Sequence, residues 1–359
     1  MKIRENVPIS TITTMRLGGD AKFLIDIEDE SEISEAFKFA KDKNLPTFIL
    51  GSGANTIGHD EGFNGVIVRS ALRGMRQDMS SEDRMPGRAA VSVSEEDISG
   101  ATYVTAFSGE VWDDLVAFAC DRNLHGIEGL SKIPGLVGAA PVQNIGAYGQ
   151  DIASVFHSAK VYDIKNDNIV TLDKDDMNFS YRHSILNTTD TGRYFVISIT
   201  LQLGQGEMQR PFYTSVEKYI AETGVSDFSP AGIREIVSTI RGNKLPDPKV
   251  EASAGSFFKN IYLTEEEADK AEAKGYLVYH GRDGYKINSG WLIEDAGLSG
   301  KLLHGIRINE KAALVLINES AKSYADLAAA RAEIIKTIKD KYGYTLEQEP
   351  VEIENQWKS

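Results

Sequence analysis

Three groups of residues have types and spacings that can do chemistry. The first is GSGANT, residues 51–56, directly after an apolar run. Glycines at a strand end let main-chain amides approach an anion closely, although a plain turn explains the same residues. Two familiar phosphate loops are excluded. GxGxxG fails because Thr56 stands at the third glycine, and the lysine-bearing loop fails because His59 follows Gly58. The second group is GLSKIPGLVGAAPVQNIGAYGQ, residues 129–150, with five glycines, two prolines and a single charge, Lys132, in a chain that is 26% charged. Small residues between prolines let main chain lie flush against a flat object, and Gln143, Asn144 and Tyr148 add directed hydrogen bonds. A ligand wrap and a buried lobe-to-lobe connection are the two readings; the stretch is too apolar for disorder.

The third group is scattered: YRHS (181–184), RGNKLPDPK (241–249), AGSFFKN (254–260) and LEQEP (346–350). RGNKLPDPK gathers Arg241, Lys244 and Lys249 on a proline-stiffened segment of an acidic protein. Taken singly, each has a plain explanation. Arg182 and Glu349 read as surface and sheet-edge charges, and Ser256 and Asn260 as turn residues.

The bulk numbers narrow the classes. At 359 residues the chain needs two or three lobes. A net charge of −14 repels nucleic acid and anionic lipid, so neither is expected as a partner. The six histidines show no metal-ligand spacing, and Cys120 is the only cysteine, which fits a reducing cytoplasm. No apolar run approaches the roughly 18 residues of a membrane span, and MKIRENVPIS lacks a signal peptide's apolar core.

The elements that must position these groups form an α+β pattern. AKFLIDIED reads as a strand, followed by a helix with Ile33, Ala36, Phe37 and Ala40 on one face. LPTFIL and GVIVRS read as strands, residues 74–100 as an acidic surface excursion, and AFSGEVWDDLVAFACDRN as a helix burying Val111, Leu115, Phe118 and Ala119. AKVYDI and IVTL form a hairpin about KNDN, and RYFVISITLQL a long strand. Ser229-Pro230 starts a helix with Ile233, Ile236, Val237 and Ile240 inward. Thr264 and Glu267 make a capping box on a helix closed by Gly275; Ser323 opens the last helix, which ends near Gly343, and YTLEQEPVEI is a tail strand.

Read together, GSGAN, GLSKIPGLVGAAPVQNIGAYG, YRHS, KLPDPK…AGSFFKN, GWLIEDAG, LVLINE and LEQE resemble the UDP-N-acetylenolpyruvoylglucosamine reductase family, in order from about residue 12 to 352. The resemblance implies an FAD-binding fold of the vanillyl-alcohol-oxidase type in two lobes (1–70 and 71–210), a C-terminal α+β substrate-binding domain (211–345) of the longer-looped subtype, and a tail (346–359) that returns to the active site. It implies bound FAD, NADPH as co-substrate, UDP-N-acetylenolpyruvoylglucosamine as substrate, and a monomer. The carried-over catalytic residues are Arg182 on the substrate carboxylate, Ser256 as proton donor and Glu349 as an acid that must be protonated to help. Cofactor contacts fall on Gly51, Ser52, Gly53, Ala54, Asn55, Thr56, Ile133, Pro134, Gly135, Gly138, Ala139, Ala140, Gln143, Asn144, Gly146, Ala147 and Arg241. Substrate contacts fall on Tyr213, Lys244, Asn260 and Tyr279.

Three positions depart from the family's pattern. Ala54 replaces a usual serine, Lys132 a usual small residue, and Pro350 a usual valine. Lys132 is expected to offset the hydroxyl lost at Ala54. An oxidase or dehydrogenase on the same flavin scaffold, or a non-catalytic nucleotide-sugar binder, are the competing functions.

Overall fold

The computed structural model describes residues 1–73, 92–94, 102–208, 210–281 and 284–355. The acidic excursion expected at 74–100 falls outside them except for the strand Ser92–Ser94.

The first sheet runs Lys2–Pro8, Asp20–Ile27, Phe63–Ser70, Thr47–Leu50, antiparallel at the first pairing and parallel at the other two. Helix Glu32–Asp42 buries Ile33, Ala36, Phe37 and Ala40, the face its spacing predicts. Those side chains share a core with Phe23, Ile25 and Val66 of the first sheet and with Tyr162, Phe195 and Ile197 of a second.

The second sheet is antiparallel, in the order Asn168–Asp173, Phe156–Asp163, Tyr194–Gln205, Thr102–Phe107, Ser92–Ser94. Its other face packs on helix Trp112–Cys120 and on Ile127, Leu130, Val137 and Ala140. Here the expected helix is corrected. Ala106 and Phe107 end a strand, and Val111 is the N-cap. The buried face is Trp112, Leu115, Val116, Ala119 and Cys120, while Phe118 packs at its edge, half-buried, under the Arg122 guanidinium. The cause is the indole: Trp112 Nε1 donates to Leu130 O at 3.0 Å, and burying that large ring rotates the helix.

Helices Thr214–Thr223 and Pro230–Lys244 pack on each other through Val216, Ile220, Ile233, Ile236, Val237 and Ile240. Ser229 caps the second through Gly232 N. The C-terminal core joins an antiparallel sheet (Ser253–Ser256, Val315–Asn318, Ile306–Ile308, Leu302–Leu303) to helices Ser289–Asp295 and Tyr324–Tyr342. A smaller unit adds strand Ile261–Leu263, helix Glu265–Ala273 and strands Val278–Gly281 and Gly284–Ile287. The capping box at Thr264 and Glu267 forms as its residues predict, Ser323 opens the last helix through a further box with Asp326, and Gly343 closes that helix in the left-handed conformation.

The tail is a correction. Only Val351–Ile353 is a strand, because Pro350 has no N–H for a ladder and breaks the run. That strand pairs in parallel with Thr56–Gly58, so residue 353 ends in the core of the first lobe.

Candidate active site

The buried strand Thr47–Leu50 delivers the chain into the GSGANT loop. Gly53 has φ +74°, and a Cβ there would lie 2.2 Å from Ile12 O, so only glycine fits. Thr14 clamps the loop: its N–H donates to Gly53 O at 3.1 Å, and its hydroxyl lies 2.6 Å from Ser253 O. One residue thus ties the loop to the strand that ends at Ser256. Gly51 meets the small-residue belt, where its added Cβ would sit 3.1 Å from Ala139 Cβ. A cavity of about 420 Å³ opens at this seam, lined by Gly51, Ser52, Ser70, Ala71 and Leu136. Two arginines at its rim are already paired, Arg69 with Asp26 and Arg73 with Glu110.

The belt is irregular but held at many points. Turns at Glu128–Leu130 and Val137–Ala139 lead to a two-residue pairing of Gly146–Ala147 with Gln150–Asp151. Trp112 N donates to Gly135 O, and Gly138 N to Ser108 O, with no room for a Cβ at Gly138. The YRHS segment is stitched along it: Ser184 Oγ donates to Val142 O (2.6 Å), Asn144 Nδ2 to Ser180 O (3.1 Å) and Arg182 Nη2 to Gly146 O (3.2 Å). Asn144 also accepts from Ala153 N, so its side chain is spent on the shape of the belt.

Lys132 does not reach toward Ala54. Its Nζ lies 3.2 Å from Asp113, whose carboxylate also accepts from Lys132 N and, through both oxygens, from Arg234. Burial would raise the Asp113 carboxyl, but these donors override it and hold it down at about 2. The cation therefore pins the belt to helices Trp112–Cys120 and Pro230–Lys244. Arg241, on the latter helix, donates weakly to Lys132 O, while its Nε is buried without a partner among the described residues. Burial works against its charge. A buried cationic donor facing a belt of small residues, beside a roomy seam, suits the phosphates and flat ring of a dinucleotide.

Arg182 and Glu349 meet in the interior. Arg182 Nε donates to Glu349 Oε1 at 3.0 Å, with side-chain exposures of 19% and 10%. Gln143 Nε2 reaches the same oxygen at 3.3 Å, and Asn55 Nδ2 donates to Gln143 Oε1 at 2.9 Å. Arg182 holds the left-handed φ of +59°, a conformation costing an arginine about 1 kcal/mol or more. Burial raises the Glu349 carboxyl above its ordinary value despite the opposing pull of Arg182 and, more weakly, Lys259. Ser256 is exposed at the end of its strand, and the next carbonyl, Phe257 O, accepts from Glu349 N at 2.9 Å. The AGS turn is better described as a strand with a register shift, in which Gly255 takes φ +70°.

The expected substrate residues are spread more widely. Asn260 lines a second cavity of about 280 Å³ with Tyr181, His183, Lys259, Tyr262, Thr345 and Glu347. Tyr213 packs edge-on against Tyr148. Tyr213 and Tyr279 are both exposed aromatic side chains. Lys244 is exposed at the last turn of its helix. Sequence reasoning missed Tyr181, His183 and Lys259, whose only signal was adjacency inside YRHS and AGSFFKN, and gave Gln143 no tie to Glu349.

Comparison with known proteins decides the family. Residues 247–353 match the model of the UDP-N-acetylenolpyruvoylglucosamine reductase C-terminal domain, and residues 21–173 match an FAD binding domain. The chain is 34% identical to the UDP-N-acetylenolpyruvoylglucosamine reductase of Alcanivorax borkumensis, over 85% of this chain and 84% of that protein. The chain belongs to the UDP-N-acetylenolpyruvoylglucosamine reductase family. Relatives from Ralstonia nicotianae (33% identical) and Pseudomonas aeruginosa (30%) cover 96% and 98% of the chain, and 98% of their own lengths. The fold agrees: the reductase of Thermus caldophilus superposes with a TM-score of 0.60 at 21% identity, covering 98% of this chain and 99% of that one. Among the described residues, no helix of this family member is long and apolar enough to cross a membrane.

Proposed function

We propose that the chain is an FAD-dependent, NADPH-consuming enzyme that reduces UDP-N-acetylenolpyruvoylglucosamine to UDP-N-acetylmuramate for peptidoglycan, acting as a cytoplasmic monomer. Residues 1–70 and 71–210 serve as flavin-binding lobes, 211–345 as the substrate domain, and 346–359 as the segment returning to the site. One observation carries most weight beside the family: a carboxyl raised by burial in direct contact with an arginine. A carboxyl held neutral can donate to a substrate carboxylate, whereas an ionised one would repel it.

When bound, the flavin supplies a hydride to the methylene carbon of the enolpyruvyl group. The protein must then stabilise the charge that moves onto the substrate carboxylate. Arg182 has Nε on Glu349 and Nη2 on Gly146 O, which leaves Nη1 to grip that carboxylate. Glu349 donates its proton toward the same charge. Ser256, with its hydroxyl at the exposed strand end, delivers the proton to the adjacent carbon, and the Lys244 ammonium favours that loss. Tyr213, Asn260 and Tyr279 hold the UDP part. GSGANT, the belt from Ile133 to Ala147 and Arg241 hold the cofactor, with main-chain amides on its diphosphate.

The test is a pair of anaerobic half-reactions on the purified yellow protein. NADPH should bleach it, and UDP-N-acetylenolpyruvoylglucosamine should restore the colour. Bleaching without recovery would favour an oxidase or dehydrogenase of other substrates. Protein that takes up no FAD would end every flavin reading.

A further inference from the structure

Glu349 lies just before strand Val351–Ile353, with main-chain bonds on either side of it, Lys259 N to Glu347 O and Val351 N to Asn55 O. Its N–H is bonded to Phe257 O, but Pro350 has no N–H to offer on the following residue. The side chain of the preceding residue adds a second set of ties to these main-chain bonds. Gln348 Oε1 accepts from Arg331 Nη1 at 2.5 Å, and its Nε2 donates to Pro350 O at 2.8 Å and Glu352 Oε1 at 3.1 Å. The same Arg331 nitrogen donates to Glu352 Oε1 at 2.5 Å, and Nη2 to Tyr324 Oη at 3.2 Å. Glu352 Oε2 takes Tyr324 Oη at 2.8 Å and contacts His59 Nε2 at 2.9 Å, and the His59 ring stacks on Tyr324 at 3.8 Å.

His59, Glu352 and Glu354 stand close enough to suggest a cation site. The chemistry rejects it, because both Glu352 oxygens are already filled by donors and a guanidinium lies against one of them. The cluster is a fastener. It joins the last long helix and His59, which follows the Thr56–Gly58 strand, to the tail at Gln348 and Glu352.

We propose that Arg331 is a positioning residue for Glu349, acting through the Gln348 side chain and Glu352 to set where the Glu349 carboxyl meets Arg182. This rests on the reductase reading above. Removing the guanidinium leaves Gln348 Oε1 without its donor and Glu352 without its ionic partner, so the segment around Glu349 loses its tie to the last helix and can shift locally. A displacement of about 1 Å at a reacting group can slow a reaction on the order of 100-fold. The step needing Glu349 should suffer, and flavin reduction should not.

The experiment compares the two half-reactions in wild type, Arg331→Met and Arg331→Lys, all loaded with FAD. Arg331→Met should slow reoxidation by the enolpyruvyl substrate by about 10- to 100-fold while NADPH reduction stays near wild type; Arg331→Lys should recover part of the loss. A purely structural role would lower the folded, flavin-loaded fraction without separating the two rates. Equal slowing of both half-reactions, or no change in either, overturns the inference. If Arg331→Met does not fold, Gln348→Leu, which keeps the Arg331–Glu352 pair, decides by the same comparison. Failure of the wild type itself to be reoxidised by the substrate would instead sink the reductase reading.

Discussion

Arg182 Nε and Glu349 Oε1 stand 3.0 Å apart although 167 residues separate them in the chain. Burial pushes the carboxyl up in spite of that contact. The expected consequence is a substrate half-reaction that falls as pH rises through the elevated Glu349 pKa, since the proton-bearing form is the useful one. Glu349→Gln, neutral at every pH, should flatten that limb. Glu349→Ala should lower the rate by about 100-fold or more. Single-turnover reoxidation of reduced enzyme across the pH range reads both; an unchanged limb in Glu349→Gln would remove this residue from the acid role.

Ser256 presents its hydroxyl at an exposed strand end, next to the Phe257 carbonyl that binds Glu349 N. Ser256→Ala should leave bleaching by NADPH almost intact and slow reoxidation by the enolpyruvyl substrate by about 1,000-fold. Stopped-flow traces of each half-reaction check it, and matching losses in the two would deny serine the proton-donor role.

Asp113, held at about 2 against an ordinary 3.8, makes an acid-stability prediction. A depressed carboxyl stabilises the fold above its unfolded value and loses that contribution as pH falls through the folded one. The difference corresponds to about 2 kcal/mol at neutral pH. Asp113→Asn should cost roughly that amount in denaturant unfolding at pH 7, with the gap to wild type closing between pH 3.8 and about 2. A gap independent of pH would mean that the Arg234 and Lys132 contacts do not account for it.

Two glycines should respond in opposite ways. At Gly53 an added Cβ meets Ile12 O at 2.2 Å on a left-handed backbone, so Gly53→Ala should distort the loop, with strain of about 1–3 kcal/mol, and lower the flavin-to-protein absorbance ratio. Gly242 sits in helix Pro230–Lys244 with nothing within 4 Å of an added Cβ. Gly242→Ala should raise stability by about 0.5–1 kcal/mol, measured by thermal or chemical unfolding. Retained flavin in Gly53→Ala would take the loop out of cofactor binding.

What could be read in the sequence was what local rules decide. Ser229 with Pro230, Thr264 with Glu267, and Ser323 with Gly343 mark helix ends because each capping contact lies within a few residues. The face of the helix at 32–42 follows from spacing alone. Reading failed where a distant partner won. The Trp112 indole found Leu130 O and turned its helix; Lys132 found Asp113, not the Ala54 loop; and a tail that looked like one strand was cut by Pro350. The motifs singled out Arg182 and Glu349, which the structure brings into contact. They did not reveal that Gln143 and Asn55 reach Glu349, or that Arg331 fastens the segment bearing it, because those contacts join parts of the chain with no shared period.

The parallel pairing of Val351–Ile353 with Thr56–Gly58 also sets an order of assembly. During synthesis the N-terminal lobe emerges early with a seam open, and nothing made in the meantime carries the strand that closes it. Among the described residues the Thr56–Gly58 strand has no other ladder partner, and Ile57 is covered by C-terminal residues, so this edge is completed only once the last part of the chain has been made.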